Sequence, residues 1–396
     1  MTTLPTLPTT DRDVYSDAAL ADPYPIYAEL RSLGSAVWMG AHQAFALTRF
    51  AACRDALRNW KVFTSARGVM MNEPLNRAAS DQLMLCTDGE RHSKLRAVVG
   101  APLMNKALDG VRPLIEAEAN ELVDRLIDQG TFDAVSELAQ HLPVTIVSEL
   151  VGLPEAGRQQ MLPWASAVFN SIGPMNQRCI DSIATLVEMN DFTNTQCTRD
   201  AVRPGGWAAA LFDAVDRGEI DEHEPAMQLN NYTGPSLDTT INATSSMIWL
   251  FSQNPEQWNM LRQRPDLIPN AIDEVLRLET PVQGFSRCTT EVISVDGTTI
   301  PADSRVLVLY GSANRDDRHF ADPTVFDIAR RNAGDHLGLG HGRHACPGAN
   351  LARLEMRSLL TALLPKVARF DLVESTLAFN NTTRGLATCT VSVIPN

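Results

Sequence analysis

The chain has 396 residues, with 34 Lys and Arg against 47 Asp and Glu, a net charge of −13. That acidic balance opposes non-specific binding to nucleic acid. The length is enough to bury a large core, and no low-complexity linker divides it, so one large domain is expected.

Residues 1–12, rich in Thr and Pro, read as a loose N-terminal tail, which leaves 13–396 as the single domain. Segments 36–39 and 45–48 have the composition of short strands. Over 113–128, Ile115, Ala119, Leu122 and Leu126 recur at helical spacing behind Pro113, which suits a first turn. A further helix is expected around 230–250. Short strands follow at 292–295, 305–309 and 389–393, with Asp296-Gly297 as a turn after the first of them. Residues 349–364 repeat the helical pattern and stop at Pro365. The fold class is therefore mainly α with a small β subdomain, without internal repeats.

Seven cysteines, an odd number at irregular spacing, do not make a disulfide framework. Cys53, Cys86, Cys179, Cys197, Cys288 and Cys389 read as reduced packing residues. No cationic start followed by an apolar run marks a leader, and no stretch is apolar enough to span a bilayer. The expected compartment is the cytoplasm.

Cys346 stands apart from the other six. It lies in Leu339-Gly340-His341-Gly342-Arg343-His344-Ala345-Cys346-Pro347-Gly348, among glycines and behind basic residues, just before a helical pattern. Glycines allow tight turns and close backbone approach. Cations and a helix N-terminus favour the thiolate, the form that ligates metals. A small buried cysteine, or a loop that cradles phosphate, satisfies the same ten residues.

Four distant motifs decide between these readings. Glu274-Val275-Leu276-Arg277 sets an acid and a base one helical turn apart, and a run from 321 ends at Arg330. His92 and Arg96 share one helical face, and Asp238-Thr239 lies mid-helix in the expected 230–250 segment. With the cysteine loop, these motifs resemble, in order and over nearly the whole chain, the cytochrome P450 superfamily. Leu339, where the family carries Phe, is the loop's one departure.

The resemblance implies a cytochrome P450 fold and haem b (iron protoporphyrin IX) ligated by Cys346. It implies that His92, Arg96, Arg287 and His344 hold the haem propionates. Glu274, Arg277 and Arg330 would form a partly buried structural cluster on the cysteine side. Asp238 and Thr239 would manage protons opposite the cysteine. Pro235 and Ser236 replace two small residues there; proline should kink the helix, and the Ser236 hydroxyl adds a donor or crowds the site. The implied activity is that of a monooxygenase inserting one atom of O2. Electrons would come from a ferredoxin and an NAD(P)H-dependent ferredoxin reductase, docking at a basic patch around Arg91, Lys94 and Arg343. A monomer is the expected state. A peroxide-driven peroxygenase and a non-catalytic haem-thiolate binding or sensor protein are the alternatives; the intact Asp238-Thr239 pair favours the monooxygenase.

Runs at 65–69, 168–174, 281–283, 311–316 and 379–386 are similar to those of bacterial family members that O-demethylate 4-methoxybenzoate and related para-substituted benzoates. Phe169, Ile172, Val282 and Phe285 would wall an aromatic pocket, closed by Pro235 and Asn231, with Arg67 as a candidate cation. Asn231 donates hydrogen bonds but brings no charge. A carboxylate buried without a cation is costly, so a neutral methoxyphenol or para-alkylphenol is the second candidate substrate.

Overall fold

The structure, a computed structural model, describes residues 7–396. Apolar stripes at helical spacing build the helices that frame its centre. They are α1 (Phe50–Arg58), α2 (Gly89–Gly100), α3 (Arg112–Gln129), α4 (Glu155–Ile172), α5 (Gln177–Thr195), α6 (Glu224–Thr233), α7 (Asp238–Gln253), α8 (Ile268–Leu278) and α9 (Ala349–Leu363). In α3, Ile115, Ala119, Leu122 and Leu126 face inward, and α9 packs along it.

The helix expected over 230–250 is two helices. Gly234 to Leu237 form a turn between α6 and α7. Pro235 has no N–H to donate, and its ring meets the carbonyl one turn back, so the ladder stops there. The break puts Asp238 and Thr239 in the first turn of α7 instead of mid-helix. Beyond it, α7 runs through the main core, burying Met247, Ile248 and Phe251.

The strands are β1 (Thr9–Thr10), β2 (Ala36–Met39), β3 (Ala44–Leu47), β4 (Phe63–Thr64), β5 (Thr131–Asp133), β6 (Gly284–Thr289), β7 (Ile293–Val295), β8 (Thr298–Ile300), β9 (Arg305–Leu309), β10 (Val367–Phe379) and β11 (Arg384–Pro395). They form a six-stranded sheet in the order β1-β2-β3-β9-β6-β4, a three-stranded sheet β10-β11-β5 and the hairpin β7-β8. Asp296 and Gly297 turn that hairpin at φ 49° and 85°, the left-handed conformation such a turn requires. The tail reading needs correction at Thr9 and Thr10, which pair in parallel with Trp38 and Met39. Residues 1–6 of that tail lie outside the described residues.

The loop joining β10 to β11 is knitted to α4 by amides. The Asn381 side chain donates to the Asn170 carbonyl at 2.9 Å, and its backbone N–H donates to Asn170 Oδ1 at 3.0 Å. On the other side, Asn72 Nδ2 donates to the carbonyls of Ser171 at 2.8 Å and Gly173 at 2.7 Å. These bonds satisfy the carbonyls that a helix C-terminus leaves open. They hold the end of α4 between two loops.

Candidate active site

Cys346 sits half-buried in the loop that enters α9. Its N–H donates to the Leu339 carbonyl at 2.8 Å, closing the loop into a compact ring. Gly340 and Gly342 hold φ 68° and 70°. A Cβ on Gly342 would come within 2.6 Å of the Leu57 carbonyl oxygen, so the end of α1 rests directly on the loop. Pro347 lies in the turn before α9, which begins at Ala349. Burial pushes the Cys346 thiol up, while the Gly348 N–H, the Arg96 and Arg353 guanidiniums and the Ala349 N–H pull it back down. All seven cysteines are free thiols.

The expected cluster of one acid and two bases is fully, not partly, buried. Arg277 donates to Glu274 from Nε at 2.6 Å and from Nη2 at 2.8 Å. Arg330 Nε reaches both oxygens of the same carboxylate, at 3.0 and 3.1 Å. The Glu274 and Arg277 side chains are 0% exposed, so they are not an ion pair at the surface. Arg277 also donates to the Asn314 carbonyl at 2.8 Å, and Asn314 Oδ1 accepts from the Leu337 N–H at 2.7 Å. The cluster therefore grips the segment that leads into the cysteine loop.

On the other side of that loop, cationic and imidazole donors converge. In α2, His92 is buried, and its Nδ1 has no partner. Burial, then the neighbouring His344, Arg96 and Arg343 charges, push its pKa down to about 4. The His92 and His344 rings lie 4.2 Å apart. Arg287 in β6 is buried, donates to the Ser286 carbonyl at 2.7 Å, and has no ion-pair partner among the described residues. Arg96 likewise has none, and burial lowers its pKa. His344 is engaged differently from the sequence expectation: its Nε2 meets Asp88 Oδ1 at 2.9 Å, so Nδ1 is its remaining nitrogen. Asp88 also accepts from the Thr64 hydroxyl at 2.6 Å and the Ser65 N–H at 2.8 Å. A buried imidazole nitrogen without a partner, beside two guanidiniums that lack carboxylates, is the donor set a pair of haem propionates needs. The residues fit the group.

The residues expected opposite the cysteine lie in the turn between α6 and α7 and in the first turn of α7. Ser236 is half-buried in the former, and Thr239 Oγ1 donates back to the Pro235 carbonyl at 3.2 Å. Burial pushes the Asp238 carboxyl up to about 6, and a hydrogen bond from Thr383 pulls the other way. Phe169 and Ile172 from α4 share one apolar cluster with Val282, and Phe285 packs against it. The four expected wall residues thus belong to one apolar cluster.

Two expected pocket contacts are not. Arg67 turns to Asp303, in an ion pair whose side chains are 50% and 73% exposed. The Asn231 amide donates to the carbonyl and side-chain oxygens of Gln228 within its own helix, at 3.0 and 2.9 Å. The basic patch also differs. Arg91 pairs with Glu224 at 2.9 Å, Lys94 with Glu90 at 3.1 Å, and Arg343 lies over the Trp60 ring at 4.4 Å. Arg54, Arg58 and Lys61 beside the loop have no ion-pair partner among the described residues. Asp88 escaped the sequence reading, because an acid outside any motif gives no local signal of such a role; Thr383 lies in the 379–386 run, but nothing in that run announces its bond to Asp238.

The sequence profile of the cytochrome P450 family matches residues 160–374. Cytochrome P450 CYP199A2 of Rhodopseudomonas palustris is 34% identical over 95% of this chain and 92% of its own length. Beta-dihydromenaquinone-9 omega-hydroxylase of Mycobacterium tuberculosis is 29% identical over 98% of this chain and 79% of its own length. The solved structure of cytochrome P450 CREJ in complex with (4-ethylphenyl) dihydrogen phosphate superposes with a TM-score of 0.85 at 25% identity, covering 95% of this chain and 98% of that one. No helix among the described residues is long and apolar enough to cross a membrane. The chain belongs to the cytochrome P450 family, and it is a haem-dependent monooxygenase with that family's mainly helical fold and small β-sheets.

Proposed function

We propose that the substrate is a small para-substituted aromatic molecule, hydroxylated or oxidatively O-demethylated, and that a neutral phenol is preferred to a benzoate. The observation that carries this reading is that Phe169, Ile172, Val282 and Phe285 belong to one apolar cluster, while the two side chains expected to meet a carboxylate, Arg67 and Asn231, are engaged elsewhere. Arg67 is committed to Asp303, and the Asn231 amide is committed to Gln228. A benzoate carboxylate would be desolvated there without compensation. The similar protein solved with (4-ethylphenyl) dihydrogen phosphate supports a para-substituted ring as the recognised element.

Haem held by Cys346, once reduced, supplies the activation of O2, one atom of which enters the substrate. This chain's residues do the rest. Arg96 and Arg287 would neutralise the propionates, His92 would donate to them from its unpartnered Nδ1, and His344, held by Asp88, would donate from Nδ1 in its protonated form. The apolar wall orients the ring and excludes water from the reacting carbon. Asp238 holds or releases a proton near neutral pH, and Thr239 and Ser236 present hydroxyls beside it. When a methoxy carbon is hydroxylated, the product collapses to a phenol and formaldehyde. Electrons are drawn from a ferredoxin and its NAD(P)H-dependent reductase in the cytoplasm. The acidic partner docks on Arg54, Arg58, Lys61 and Arg343 next to the cysteine loop.

Spectral titration of the haem with 4-methoxyphenol, guaiacol, 4-ethylphenol and 4-methoxybenzoate tests the reading. The phenols are expected to shift the spectrum and the acid to leave it unchanged. A shift with the acid alone would overturn the preference.

A further inference from the structure

The acid at the start of α7 is tied to a residue far along the chain. Thr383, in the loop between β10 and β11, donates from Oγ1 to Asp238 Oδ2 at 3.3 Å. Its backbone pairs with Val282, a wall of the aromatic pocket. Thr383 also lines a small cavity of about 20 Å³, together with Tyr15, Tyr27, Gln283, Asn380 and Arg384. That volume holds a water molecule, which needs polar partners. Gln283, which lines the cavity, has a buried Oε1 without a hydrogen bond among the described residues, lying against Gly311.

We propose that Thr383 is the proton inlet of the distal site, passing protons from water in this cavity to Asp238. A hydroxyl accepts and donates at once. A proton that solvent brings to the cavity water passes on to Thr383 Oγ1 as the hydroxyl hydrogen passes to Asp238 Oδ2, so the water and the hydroxyl are both regenerated, one net proton is delivered and no bond between heavy atoms changes. No Lys or Arg is ion-paired with Asp238 among the described residues, so a basic side chain does not supply that proton. The ionisable groups facing the cavity are unsuited to the role. Tyr15 and Tyr27 are held neutral by burial, and Arg384 is bound to Glu279 at 2.9 Å. Thr383 is a positioning and relay residue in this scheme, and the scheme rests on Asp238 serving as the proton donor.

The test uses the reconstituted holoenzyme with its variants T383V, T383S, Q283M and D238N. Product formed per NAD(P)H consumed, and the solvent isotope effect on turnover, are measured for each. The Asp238 carboxyl is titrated by infrared difference spectroscopy in the oxidised enzyme without O2. T383V is expected to lower the product ratio by roughly twofold or more, to raise the isotope effect, and to move the Asp238 titration upward. T383S restores wild-type values. Q283M, which removes the unpartnered oxygen and fills the cavity, lowers the ratio without moving the titration. If D238N loses coupling while T383V and Q283M keep it, the inlet is refuted and the acid's role stands. If D238N keeps coupling, both fall.

Discussion

Glu274 and Arg277 are joined by paired hydrogen bonds of 2.6 and 2.8 Å, with both side chains wholly shielded from solvent. A charge pair this deep tolerates no loss of one member, because the other is left uncompensated. Glu274→Gln strands Arg277 and Arg330 together. It is expected to cost about 3–5 kcal/mol and to impair haem retention, because Arg277 grips the segment entering the cysteine loop. Denaturant unfolding and haem content measure both; an unchanged midpoint would show that the cluster is dispensable.

Glu355 in α9 is buried with neither carboxyl oxygen bonded. Burial pushes its pKa from 4.5 up to about 8. The unfolded chain ionises near 4.5 and the folded one near 8, so stability is full below the lower value and is lost as pH rises through the upper one. At pH 7 the penalty is on the order of 3 kcal/mol. Glu355→Gln should flatten the fall in stability between pH 5 and 8, read from unfolding midpoints across pH. A slope equal to that of wild type counts against a protonated Glu355.

Pro235 breaks the α6–α7 ladder, and its carbonyl receives the Thr239 hydroxyl. Replacing Pro235 with Ala and Ser236 with Gly should let the helix close over the turn and restrict water there. Product per NAD(P)H is expected to rise by roughly twofold, with less peroxide released. Equal coupling in the double variant would show the break to be neutral.

The Leu339 carbonyl takes the Cys346 N–H at 2.8 Å, and the Leu339 side chain packs on the main core. Phe in its place should shield the thiolate more fully from water. The haem reduction potential is then expected to become more negative by roughly 30–60 mV, up to a tenfold change in a one-electron equilibrium. Potentiometry of both proteins with the same ligand bound decides; equal potentials would make Leu339 a silent substitution.

The helical stripe of α3, the strands β2 and β9 and the Asp296-Gly297 turn were legible because each is written in adjacent residues. The acid–base cluster was legible only through its motifs, since i,i+3 spacing alone describes a surface pair equally well. Four features were not legible. Pro235 announced a kink, but a proline does not say whether a helix bends or stops. The ion pair of Arg67 with Asp303 and the bond of Thr383 to Asp238 join residues 236 and 145 positions apart. Asp88 carries no motif, yet it fixes the orientation of His344. Such contacts are set by how sheets and loops stack, which periodicity does not encode.

The amide bonds that fasten the end of α4 to the loops around Asn72 and Asn381 have a kinetic consequence. Phe169 and Ile172, proposed above as walls of the substrate pocket, ride on that helix, so a substrate that displaces its end must break several neutral hydrogen bonds together. Neutral bonds do not weaken with ionic strength or with pH in the working range. Substrate capture should therefore carry a large activation enthalpy yet be nearly indifferent to salt. Reduction by the acidic donor proposed to dock on the arginines near the cysteine loop should show the opposite behaviour. The two faces of the molecule would then answer to different physical variables: temperature on the substrate side, ionic strength on the electron side.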